Sequence, residues 1–113
     1  MDPQLQEQIQ ELQHLEQQLQ QIGMQKQSLH VEQAEVMNAT KEITATTGDI
    51  YRIVAGLMVK IDKQKALKEL TEREKQVTSK LTLLEKHEET LVKQGEQTRQ
   101  VVQSTVEKQK KKA

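Results

Sequence analysis

The chain has 113 residues, 17 basic and 17 acidic side chains, no cysteine, no Phe or Trp and a single tyrosine. Aromatic side chains supply about 150–250 Å² of buried area each, so a conventional globular core is excluded, and the missing cysteines exclude disulfides and thiolate metal sites. Charged residues make up 30% and hydrophobic ones 34%, a balance that suits coiled coil or disorder, and the regular apolar spacing decides for coiled coil.

A first helical arm is predicted over residues 2–47. Asp2 offers a capping carboxylate and Pro3 suits the first helical position. From there Leu5, Ile9, Leu12, Leu15, Leu19, Ile22, Lys26, Leu29, Gln33, Val36, Thr40 and Ile43 step by threes and fours. The two successive three-residue steps that meet at Leu12 are a stammer, which overwinds a coil locally. Twelve glutamines fall in the first 33 residues. Interleaved with Leu and Ile at heptad spacing, they read as exposed helix formers and not as a prion-like tract. Thr44 to Gly48 end the arm, with Gly48 suited to a C-terminal cap.

Residues 49–61 break the pattern. Ile50, Tyr51, Ile53, Val54, Leu57, Met58, Val59 and Ile61 form the chain's dense β-branched and apolar cluster, around a central Ala55-Gly56 pair. Such side chains fit a pleated surface, and glycine accepts the positive φ of a tight turn. The block reads as a β-hairpin with its turn type open. One face carries Ile50, Val54, Leu57, Val59 and Ile61, and the other carries Tyr51, Ile53 and Met58. That is more apolar surface than one helical hairpin covers, and an isolated hairpin has two unpaired edges. Hairpins from several subunits joining in a closed sheet solve both problems.

A second arm is predicted over 62–109, with Asp62 as its cap. Lys63, Leu67, Leu70, Glu74, Val77, Leu81, Leu84, Glu88, Leu91, Gly95, Thr98, Val102 and Thr105 alternate fours and threes without interruption. A basic tail, 110–113, follows and reads as a solvated helix end, since no phosphate-binding motif accompanies it. Folding back at Ala55 sets Leu29 against Leu81, Leu19 against Leu91, Ile43 against Leu67 and Leu15 against Gly95. It also sets Lys26 against Leu84, Ile22 against Glu88 and Val36 against Glu74. Residues 1–48 carry seven acids and two bases, and the rest carries ten acids and fifteen bases. Arms of opposite sign favour a side-by-side pairing, at ~0–1 kcal/mol per exposed pair.

No catalytic constellation is present, and no enzyme, metal or cofactor is expected. His14, His30 and His87 lie on separate turns, and the position that would complete a zinc-helix motif after His87-Glu88 is Leu91. Gly23, Gly48, Gly56 and Gly95 are too scattered for a phosphate loop. The longest apolar stretch, Ile53 to Val59, is far short of the ~20 residues that span a bilayer. Met1-Asp2-Pro3-Gln4 has no leader character, so a soluble, cytoplasmic protein with neither membrane nor nucleic-acid partner is expected.

The run Ile50-Tyr51-Arg52-Ile53-Val54-Ala55-Gly56-Leu57-Met58-Val59-Lys60, followed by Lys63-Gln64-Lys65-Ala66-Leu67-Lys68-Glu69-Leu70, resembles the central signature of β-class prefoldin subunits, of archaeal type or a eukaryotic β-type relative. That signature is Tyr-Lys/Arg-x-Val-Gly, then apolar residues and a Lys or Arg before the second helix. Ala55 stands where the family's first glycine is expected. The glutamine-rich first arm with Gln25-Lys26-Gln27 is also similar. The resemblance implies a mainly α fold, a long antiparallel two-helix coiled coil joined by one β-hairpin. It implies an α2β4 hexamer with two α-class subunits around a β-barrel platform. It further implies ATP-independent holding of non-native clients and their delivery to a group II chaperonin. The client-binding tips then correspond to Leu5, Ile9 and Leu12 on one arm and Val101, Val102 and Val106 on the other. A coiled-coil scaffold or tether also fits the arms, but leaves the hairpin without a purpose.

Overall fold

The computed structural model describes residues 3–112, with side chains through Lys110; the Asp2 cap and the side chains of 111–113 lie outside the described residues. The elements run helix α1 (Pro3–Ala45), strand β1 (Ile50–Val54), strand β2 (Leu57–Ile61) and helix α2 (Lys63–Lys112). The backbone of α2 continues through residues expected as a tail, as lysine is a good helix former and nothing there breaks the helix.

The chain divides into two compact units. In one, α1 up to Lys26 packs on α2 from Leu83 onward. Leu15, Ile22 and Leu91 form its buried cluster, with Leu19 and Leu84 packed against it. Lys26 does not simply lie over Leu84: its ammonium reaches the Glu88 carboxylate at 3.3 Å, so two polar seam residues neutralise each other. Both are partly buried, where the pairing of charges matters more than at the surface.

The second unit, residues 27–82, holds the hairpin and the helix segments that flank it. Val36, Ala66, Val77 and Leu81 are its buried side chains. Two expected seam positions differ. Glu74 is exposed, and Ala66, the neighbour of Leu67, takes the most buried place near the hairpin, with Leu67 half-buried. A carboxylate is costly to desolvate, and a small side chain lets helices approach closely. Arg73, next to Glu74, donates across to Glu32 at 3.1 Å. That cross-arm pair follows the charge asymmetry of the arms, whereas the Lys26–Glu88 pair runs against it.

The end of α1 also differs from expectation. Gly48 does not adopt a left-handed conformation, which among glycines is confined to Gly56. Instead the hydroxyls of Thr44 and Thr46 donate back to the carbonyls of Thr40 and Glu42, each at 2.7 Å. The Thr46 N–H adds bonds to the Glu42 and Ile43 carbonyls at 3.1 and 3.2 Å. Thr46 thus occupies the Glu42 and Ile43 carbonyls, two of those that a helix end leaves without partners, while the Thr44 hydroxyl adds a bond to a carbonyl inside the helix. At the start of α2 the Asp62 carbonyl accepts the Ala66 N–H at 3.0 Å, closing the first turn.

Candidate functional site

The hairpin is built as its side chains require. β1 and β2 pair antiparallel, with Ile50 opposite Ile61, Tyr51 opposite Lys60, Arg52 opposite Val59, Ile53 opposite Met58 and Val54 opposite Leu57. Alternation then puts Ile50, Arg52, Val54, Leu57, Val59 and Ile61 on one face and Tyr51, Ile53, Met58 and Lys60 on the other. Ala55 and Gly56 have φ of 51° and 79°. Two consecutive positive φ values define a type I′ turn, whose twist matches that of the strands. An alanine in this region costs on the order of 1 kcal/mol, so strand pairing holds Ala55 there against its own preference.

The apolar faces are open. Ile50 and Ile61, nearest the helices, are half-buried, while Tyr51, Ile53, Val54, Leu57, Met58 and Val59 are exposed. Ile53, Leu57 and Met58 reach 75, 69 and 70% exposure. Fully burying a large aliphatic side chain is worth about 1.5–3 kcal/mol, so this surface holds a large unspent driving force. With two strands in the sheet, both strands are also edges, presenting unpaired peptide groups.

Two polar features position the hairpin, and sequence pattern revealed neither. Arg52 Nη2 donates to Glu69 Oε2, joining β1 to the second turn of α2. Lys60 pairs with Asp49 at 3.5 Å across the strand ends. Arg52 was legible as part of the central signature, but its partner lies 17 positions on, and no local periodicity relates a strand residue to a helix residue.

The other predicted contact residues lie in the first unit. Leu5 is buried, Ile9, Leu12, Val102 and Val106 are half-buried, and Val101 is exposed. The arm ends are therefore partly closed, and Val101 supplies their most open apolar surface among the six. Among the described residues no group of His, Asp and Glu could hold a metal ion, and no helix is long and apolar enough to cross a membrane.

The sequence pattern of the prefoldin subunit family matches residues 6–109. The prefoldin subunit beta of Methanosarcina acetivorans is 31% identical over 108 residues, covering 94% of this chain and 92% of that one. The crystal structure of the prefoldin beta subunit from Thermococcus strain KS-1 superposes with a TM-score of 0.84 at 32% identity, over 92% of this chain and 93% of that one. The prefoldin beta2 subunit from the same strain gives 0.66 at 26% identity, over 76% and 94%. With matches that run through both arms and the single hairpin, the chain belongs to the prefoldin subunit family, in its β class.

Proposed function

We propose that this chain is one subunit of an ATP-independent, cytoplasmic cochaperone. In this role it holds non-native polypeptides at the ends of its coiled-coil arms and hands them to a group II chaperonin. Membership of the prefoldin family supports the chaperone-cofactor role. The observation that carries assembly is the hairpin, with apolar side chains exposed on both faces and both edges unpaired. Hairpins of neighbouring subunits, four of this class and two of an α class that carries two hairpins each, would bury those faces and pair those edges in a closed barrel. The arms then project from the platform, and Leu5, Ile9, Leu12, Val101, Val102 and Val106 supply several weak apolar contacts. Each is small, but linking several on one frame raises avidity without any tight site.

The test joins assembly to activity. Mixed with an α-class prefoldin subunit, the chain is expected to give a hexamer in native mass spectrometry and to suppress aggregation of a denatured protein without nucleotide. A hexamer that leaves aggregation unchanged would overturn the holding role, and a chain that stays monomeric in the mixture would overturn the assembly.

A further inference from the structure

Gly95 occupies a seam position of α2 where the coil would normally place a large side chain. Its φ is not positive, and a Cβ added there would meet nothing within 4 Å. Neither backbone geometry nor close packing therefore calls for glycine, which is the poorest helix former after proline. The sequence pattern leads one to expect Leu15 to interdigitate with it. Instead the space beside Gly95 is left open as a notch of about 250 Å³, lined by Leu12, Leu15, Leu19 and Val92. Leu15 forms its buried floor, while Val92 remains exposed at its mouth.

The rim is charged. Glu16, Glu96 and Arg99 complete the lining, and none of the three takes part in any of the ion pairs among the described residues. Two free carboxylates against one guanidinium leave the mouth net negative. Carboxylates accept charge-assisted hydrogen bonds from an ammonium or guanidinium, and Arg99 can donate to a peptide carbonyl.

We infer that the gap at Gly95 is a binding notch for one aliphatic side chain of a non-native segment, flanked in that segment by Lys or Arg. The apolar walls take the side chain, Glu16 and Glu96 take the flanking cation, and Arg99 takes a carbonyl of the extended backbone. The ligand class rests on the cochaperone role proposed above. An extended chain is the form of polypeptide that offers a lone side chain and free peptide groups together.

The probes are dye-labelled Gly/Ser peptides that carry one leucine between two lysines, one leucine between two glutamates, or a serine in place of the leucine between lysines. Binding is read by fluorescence anisotropy on the full chain assembled with an α-class subunit. The lysine–leucine peptide is expected to bind best. Gly95→Leu fills the notch and should weaken that binding about tenfold, the loss of burying one aliphatic side chain. The same substitution replaces glycine by a strong helix former and should raise the melting temperature, so weaker binding cannot come from unfolding. Glu16→Gln combined with Glu96→Gln should abolish the preference for lysine over glutamate and keep the preference for leucine over serine. Unchanged binding by Gly95→Leu would overturn the notch, as would equal binding of the leucine and serine peptides or of the lysine and glutamate peptides by the unaltered chain. Aggregation suppression that persists while Gly95→Leu binds peptide normally would sink the notch and leave the cochaperone role standing. Notch-dependent peptide binding without any aggregation suppression would do the reverse.

Discussion

The ammonium of Lys63, the first residue of α2, lies 2.8 Å from the carbonyl oxygen of Thr46, just beyond the last residue of α1. It also reaches the Thr44 carbonyl at 3.4 Å. A helix C-terminus carries unsatisfied carbonyls and the negative end of the helix dipole, so a cation there satisfies both. The two ends of the hairpin segment are thereby tied together by a side chain on one and backbone on the other.

That tie is testable. Lys63→Met keeps the aliphatic stem and removes the charge, and should cost about 1.5–3 kcal/mol in denaturant unfolding, the range for a hydrogen bond to a charged group. Lys65→Met removes an exposed lysine that makes no bond of this kind and should stay within about 0.5 kcal/mol of the parent. Equal losses for the two would show that the capping bond contributes nothing.

A second contrast probes the coil. Leu81 is 6% exposed and Leu83, two residues on, is 67% exposed. Leu81→Ala should lower stability by about 2–5 kcal/mol, the usual range for truncating a buried leucine. Leu83→Ala should change it by under about 0.5 kcal/mol, because alanine keeps the helix and nothing is uncovered. The check is the pair of melting temperatures, and matching shifts would mean that Leu81 is not in the seam.

The hairpin faces call for a double substitution. Ile53 and Val59 lie on opposite faces, so Ile53→Asp with Val59→Asp puts a carboxylate on each surface to be buried. An unpaired buried charge is strongly unfavourable. Circular dichroism should still report helix, while the hexamer expected with an α-class subunit should be missing from native mass spectra. Persistence of the hexamer would place the assembly contacts elsewhere.

Deleting residues 1–12 together with 101–113 removes all six proposed tip residues and spares the hairpin. The oligomer should persist and aggregation suppression should be lost, because the six tip contacts go together and the Gly95 notch, which also loses its Leu12 wall, has too little avidity by itself to hold an unfolded chain. Full holding activity in the truncated assembly would move the client surface to the inner arms or the platform.

Much of this was legible in sequence because it depends on periodicity. Of the first-arm seam from Leu5 to Ile43, each position is buried or half-buried, and on the second arm only Glu74 escapes. The strands, their register and their two faces follow from an alternation of period two centred on Ala55-Gly56. What escaped depends on reach and on alternatives of equal spacing. Lys26 is long enough to choose between Leu84 and Glu88, and spacing cannot rank a diagonal ion pair against a stem lying over a leucine. Ala66 and Leu67 are adjacent, so their ranking turns on how closely the helices approach near the hairpin. The Arg52–Glu69 pair joins elements of different period, and Gly48 shared its helix-ending role with threonines that proved sufficient.

The two-stranded sheet also decides how its assemblies can be populated. A row of such hairpins, however many are added, still ends in two open strands, so each addition merely relocates the exposed peptide groups. Closure alone brings the number of open strands to zero, and it does so in one step. Partial rings gain no protection from being larger, and stoichiometric mixing should yield complete particles beside free subunits with little in between. Occupancy should then fall steeply with dilution, as the power of concentration set by the number of subunits in the ring.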